Sequence, residues 1–223
     1  MTPAADVQRL SHGEIVALCT KAARGAGMPW GLAEEAGFAA AWLAERGCDG
    51  PWHLLCRLDR GEAVIDMAPQ MSPGAWTGRS GRDLCPIATG AALSEVMGLP
   101  EGLAPDRPLH IGPVVEPVLL VPFLTACVDP ASQCLTVATA TGTWDLGHDP
   151  RDLIRALAVL ERSAFDLRLS VTGPCEVPDP PEPAVIQTSV TALSGLDALA
   201  LRTTDPASNR PHQDTGPTDT DHD

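Results

Sequence analysis

The chain has 223 residues, 44% of them apolar, and sets 29 carboxylates against 15 basic groups for a formal charge of −14. The apolar share suffices for a sizeable core, but aromatics make up only 4% and tyrosine is absent, so Leu, Val, Ala and Met must build it. The acidic excess repels phosphate backbones and anionic bilayers, which excludes nucleic acid and membrane surfaces as expected partners.

Ser11-His12-Gly13-Glu14 has the spacing of a capping box, with Leu10 and Ile15 at the hydrophobic-staple positions. It predicts a helix from about residue 12 to 24 that buries Ile15, Leu18, Cys19 and Ala22, stopped by Gly25 and Gly27. Pro29 then suits the first position of a second helix, reaching about Arg46. Ala33, Ala36, Gly37, Ala40 and Ala44 give that helix a smooth face for close approach of another backbone. Pro51 opens a third helix carrying Leu54, Leu55 and Leu58 and ending near Gly61.

Ala63–Met67 has the composition of a short strand, and the Gly-, Ser- and Arg-rich stretch Ser72–Arg82 that of a loop. Asp83 is a candidate cap for a fourth helix reaching Met97. The Val- and Leu-rich run His110–Val128 and Leu135–Thr141 flank a turn composition and predict an antiparallel hairpin. Pro113, Pro117 and Pro122 cannot donate ladder hydrogen bonds, so the first arm should be an edge strand or one broken by bulges. Asp149-Pro150 opens a helix through Arg162, and Phe165–Val171 alternates apolar and polar residues like a half-buried strand. Residues 173–183 form a proline-rich connector, and 185–203 hold one more strand or helix. The tail from Thr204 has almost no large apolar side chains to offset its ordering entropy and should be disordered. The expected fold is α+β: residues 1–203 as one domain, helical over 10–61 and mixed over 62–203, with a mostly antiparallel sheet.

Seven scattered cysteines without a CxxC pair read as buried free thiols in a reducing compartment. Met1–Arg9 lacks an apolar stretch, so no secretory leader is expected, and the longest apolar run is too short to span a bilayer. A cytoplasmic location follows from these readings.

The most distinctive polar stretch is Lys21–Gly31. Its glycines beside a helix start can cradle an anion, although no phosphate-loop or dinucleotide fingerprint is present. Arg24, Gly25, Gly27 and Trp30 are therefore candidate anion or small-molecule residues, against the plainer reading of a tight helix–helix turn with Arg24 solvated. Glu34 and Glu35 fall near the start of the second helix, where its dipole favours carboxylates, and either could pair with Arg24. His53 is a candidate general base. Lys21 is the only lysine, so Schiff-base chemistry would have to use it. The histidines lack ligand spacing, which predicts no metal site, and no nucleophile–base motif is recognisable.

The segment Glu14–Gly50, above all Lys21–Gly37 and Arg46-Gly47-Cys48-Asp49-Gly50, resembles an uncharacterised bacterial family known only as a domain of unknown function. Leu199–Ser208 is similar to the C-terminal segment of that family, whereas Asn209–Asp223 departs from its Gly-Ala-rich tail. The succession of helices around Gly27, Pro29, Gly47 and Gly61 also resembles the opening of malate/L-lactate dehydrogenases that lack a Rossmann fold. Where those enzymes carry Ser-His-Gly, this chain reads Asp49-Gly50-Pro51-Trp52-His53. The first resemblance implies no activity. The reading favoured by the sequence is an accessory protein that binds a small anionic metabolite or a partner. Against it stand a small, degenerate oxidoreductase using Arg24, Glu34 or His53, and a structural homo-oligomer subunit. Convergence of Arg24 and His53 on one pocket would favour the enzyme. No cofactor is indicated.

Overall fold

The computed structural model describes residues 6–62, 68–96, 99–127, 133–146, 150–159, 163–172 and 186–203. The segment 63–67, the connector 173–183 and the tail from 204, for which a strand, an extended link and disorder are predicted, lie outside these residues.

A short strand, β1 (Val7–Arg9), leads into α1 (His12–Gly25). The capping box forms as its spacing requires: the Ser11 hydroxyl accepts from the Glu14 amide, and the Glu14 carboxylate accepts from the Ser11 amide at 2.8 Å. Burial takes Ile15, Cys19, Ala22 and Ala23, leaving Leu18 half-buried. The second helix, α2 (Trp30–Ala44), starts one residue later than predicted, with Pro29 as its N-cap. Its small-residue face does admit a neighbour: a Cβ at Gly37 would collide with Thr20 Oγ1 and stand 2.9 Å from the Val16 carbonyl of α1. In α3 (Gly50–Leu58) the N-cap is Asp49, whose Oδ1 accepts from the Trp52 amide at 3.3 Å.

The stretch read as a loop over 72–82 instead contains half of a hairpin, β2 (Pro69–Ser72) and β3 (Ala75–Gly78), turning at Gly74 and followed by a short 3-10 turn. Tertiary burial overrides its polar composition, because Trp76 is fully enclosed and donates its indole N–H to the Glu101 carbonyl at 2.8 Å. The next helix, α4 (Pro86–Glu95), is capped at Cys85, since Pro86 takes the first turn; Asp83 pairs with Arg60 at 3.2 Å instead.

The expected hairpin of 110–128 with 135–141 does not form. Only β4 (Leu109–Val115) is a strand, and the run after it folds into a 3-10 turn over 117–120 and a short helix, α5 (Val121–Ala126). Pro117 and Pro122 sit in the opening turns of these helical pieces, where their missing N–H groups are not needed. Nor is β4 an edge: it lies between β3, in parallel pairing, and β7 (Ala164–Thr172), in antiparallel pairing. Pro113 is tolerated because the register shifts between Ile111 and Val114, the bulge that the prolines allowed as an alternative. Beyond β7 come β5 (Cys134–Thr139) and β6 (Gly142–Asp145), giving a six-stranded sheet in the order β2-β3-β4-β7-β5-β6, antiparallel except at β3–β4. The helix α6 (Arg151–Ala158) buries Leu153, Ile154 and Leu157, and Pro150 rather than Asp149 caps it.

The last described residues supply both a strand, β8 (Gln187–Ser189), and a helix, α7 (Val190–Ala200). Pairing of β8 with β1 forms a separate two-stranded ribbon, and α7 packs against α1 and α3. The fold is thus α+β, with one apolar cluster running from Ile15 and Ala40 of the helices to Leu109, Val137 and Leu169 of the sheet. Among the described residues no helix is long and apolar enough to cross a membrane. The free-thiol expectation holds for Cys19, Cys48, Cys56, Cys85 and Cys127, all buried. It fails at Cys134, which is disulfide-bonded; sequence spacing carries no sign of a bridge that tertiary contact creates.

Candidate functional site

The end of α1, the start of α2 and the turn after α7 enclose a groove of about 400 Å³ lined by Thr20, Lys21, Arg24, Trp30, Arg202 and Thr203. Gly27 makes the tight connection possible with φ of 89°. Gly25 matters for a separate reason, since a Cβ there would collide with the Leu199 carbonyl, and its absence lets the end of α7 lie against α1. That contact carries Arg202 to the groove. Arg24 reaches along the turn to donate through Nη1 to the Met28 carbonyl at 2.6 Å, and its guanidinium lies 5.7 Å from the centre of the Trp30 ring. Trp30 is 63% exposed, so its face is open to a ligand as well as to Arg24.

Glu34 and Glu35 are not part of this arrangement. With α2 starting at Trp30 they fall beyond its first turn, and among the described residues neither pairs with Arg24. Three cations thus meet in the groove without a described carboxylate between them, in a chain whose net charge is −14.

The underside of the same turn borders a smaller cavity of about 190 Å³, where Ala26, Gly27 and Met28 face Arg57, Gly61 and Glu62. Arg57 is only 1% exposed; it donates from Nε to Cys85 Sγ at 3.4 Å and from Nη2 to the Glu62 carbonyl at 3.4 Å. A larger hollow of about 460 Å³ lies on the outer sheet face beside His110, Asp166 and Arg168. Small residues and backbone, among them Gly112, Ala138 and Ala140, form much of its wall, and His110 and Arg168 face one another across the β4–β7 register.

His53 is not in the groove but inside the protein, 4% exposed. Its Nδ1 lies 2.9 Å from Oε2 of Glu116, which is 1% exposed. Burial works to lower the imidazole pKa, but hydrogen bonds to Cys48 and Glu116, and the charges of both, outweigh it and raise the value to about 9. Glu116 sits between β4 and the following 3-10 turn with φ of 44° and ψ of 56°. For a side chain other than glycine this left-handed conformation costs ~1–2 kcal/mol, and the cost is borne at a buried carboxylate. Burial is the largest cause at two other thiols. It pushes Cys19 well above its ordinary range, with Asp49 adding to the effect, and lifts Cys127 to about 11 despite a hydrogen bond with Ser94.

Of the residues singled out from sequence, the structure brings Arg24 and Trp30 to one groove, with Gly25 and Gly27 shaping its walls. It leaves Glu34 and Glu35 apart and assigns His53 to a different polar cluster. Sequence reasoning missed Arg202, Arg57 and Glu116. Glu116 is 63 residues from His53, and only the left-handed turn before Pro117 brings them together. Among the described residues no group of three or more His, Cys, Asp or Glu side chains is placed to hold a metal ion.

No curated protein and no solved structure matches the chain. Residues 10–92, running from the α1 cap into α4, match the family model described as Protein of unknown function (DUF3726).

Proposed function

We propose that the protein binds a small anionic ligand in the groove between α1, α2 and the turn after α7, and acts as a ligand-binding or accessory protein there. The observation that carries this reading is the meeting of Lys21, Arg24 and Arg202 beside the exposed face of Trp30. Three like charges gathered on a strongly acidic chain repel one another, and an anion among them relieves that repulsion. The indole offers a flat apolar surface for the uncharged part of the same ligand. Arg24 and His53 do not converge, which favours binding over catalysis at this groove.

The test is a thermal-shift and Trp-fluorescence titration with phosphate, di- and tricarboxylates and nucleotides, each against chloride at equal ionic strength. One class should stabilise the protein saturably. Arg24→Ala and Arg202→Ala should abolish that stabilisation while leaving a cooperative fold. Equal responses to every anion and to chloride, or an unchanged response in both variants, would rule the groove out.

Five buried free thiols support a cytoplasmic location, and the Cys134 bridge counts against it. A homo-oligomer is the second reading. It is favoured by the exposed edge strand β2, where Met71 is 43% exposed, and sedimentation at micromolar concentration tests it.

A further inference from the structure

The cavity under the α1–α2 turn has a rim in solvent and a closed floor. Ala26, Gly27, Gly61 and Glu62 at the rim are exposed, whereas Met28, Arg57 and Leu58 beneath them are buried. Both lips are turns that end a helix. Gly27 follows α1 with φ of 89° and Gly61 follows α3 with φ of 67°. Apart from chain neighbours, no heavy atom lies within 4 Å of where a Cβ would stand on either glycine, so the space beside them is open.

Arg57 stands in the last turn of α3 with 1% of its surface exposed. A guanidinium does not give up its proton in a protein, so a buried one needs a counter-charge. Among the described residues no carboxylate pairs with it; those of Glu62 and Asp83 go to Arg60 instead, at 3.0 and 3.2 Å. What Arg57 has is a weak sulfur acceptor at Cys85, 3.4 Å from Nε, and the Glu62 carbonyl, a long 3.4 Å from Nη2. The end of α3 adds only the partial negative charge of its last carbonyls. Nη1 makes no hydrogen bond among the described residues, and Arg57 lines the cavity.

We propose that this cavity binds the carboxylate of a short monocarboxylic acid, of formate to propionate size, with Arg57 as its counter-ion. The guanidinium edge matches two carboxylate oxygens in parallel hydrogen bonds. Ala26, Met28 and Leu58 offer the alkyl end an apolar wall. At ~30 Å³ per water, a volume of about 190 Å³ has the space of about six waters, which admits these acids and rejects benzoate. Phosphate suits it less, because one guanidinium leaves most of its oxygens without donors, and a chain of charge −14 repels a dianion more than a monoanion. The cavity shares no lining residue with the groove of Lys21, Arg24 and Arg202, and its occupancy does not depend on that groove.

The test melts full-length protein at pH 7 in sodium formate, acetate, propionate or benzoate, each against sodium morpholinoethanesulfonate at equal ionic strength. The bulky sulfonate does not fit and sets the baseline. The three short acids should raise the melting midpoint saturably, and benzoate should not. Arg57→Met should abolish the response and, with a buried charge removed, melt at or above the wild type in the sulfonate buffer. Arg57→Lys keeps the charge but not the planar fork and should weaken the apparent affinity at least about fivefold. Arg24→Ala combined with Arg202→Ala should leave the response intact, which separates this cavity from the groove. Should Arg57→Met fail to fold, Arg57→Lys and the benzoate cut-off on wild type decide. A wild type indifferent to the short acids, or one that responds equally to benzoate, overturns the proposal. So does a response that survives Arg57→Met or vanishes in the groove variant, and so does an Arg57→Met that folds but melts well below wild type in the sulfonate.

Discussion

The pair between His53 and Glu116 should make stability fall as the solution becomes alkaline, and the size of that fall follows from the site. The imidazole pKa is raised from its ordinary 6.5 to about 9 in the folded protein. A group whose pKa is raised on folding contributes fully below its unfolded value, and the contribution is lost as pH rises through the folded value. The window is therefore about 6.5 to 9. At ~1.4 kcal/mol per pH unit, the protonated imidazole, favoured by Cys48 and Glu116 together, is worth on the order of 3 kcal/mol. Buried Cys19 and Cys127, whose thiols are pushed up, add a loss of the same sign above the unfolded thiol value of about 8.5. The comparison that isolates the pair is thus wild type against Glu116→Gln, unfolded in urea at pH 6 and again at pH 9.5. Because Cys48, the first of the two raising causes, stays in the variant, wild type should lose more stability than Glu116→Gln across this interval by only part of that ~3 kcal/mol. Parallel stability–pH curves for the two proteins would refute the reasoning.

Gly37→Ala reverses an ordinary expectation. Mid-helix alanine normally gains ~1 kcal/mol over glycine, but here the new methyl meets Thr20 Oγ1 and the Val16 carbonyl, so a net loss of ~1–3 kcal/mol is expected; a raised melting temperature would contradict it. For the cysteines, peptide mapping without reductant should recover Cys134 in a disulfide and Cys19, Cys48, Cys56, Cys85 and Cys127 as thiols. A free Cys134 in native protein would refute that division.

Local chemistry made the helical third of this fold readable. Ser11 and Glu14 mark one helix start, Pro29 and Pro51 two more, and the alanine face of α2 announces a close neighbour. The sheet was harder because its signals are not local. Val118–Leu124 has strand composition yet folds into helical turns, buried against α2 and α4. Ser72–Arg82 has loop composition yet contributes a strand around Trp76. The candidate groove divides the same way. Arg24 and Trp30 are six residues apart and legible together, whereas Arg202 arrives only because Gly25 lets α7 approach. Glu116 left no periodic or motif signal, and a buried carboxylate cannot be told from a solvated one by its neighbours in sequence.

The β1–β8 ribbon bears on how the chain reaches its native state. It joins residues 7–9 to 187–189, and the helix it leads into, α7, covers α1 and α3. The helical layer is therefore discontinuous in sequence, with the six-stranded sheet inserted between its parts. On a ribosome, α1 to α3 emerge early but keep the Leu199 side of Gly25 bare until nearly two hundred residues have been made. Closing so long a loop is entropically costly and slow. A nascent chain stopped after residue 92 holds the whole family-matching segment but lacks both α7 and β4, the partner of β3. During synthesis, that half-covered helical face is the surface a chaperone would meet.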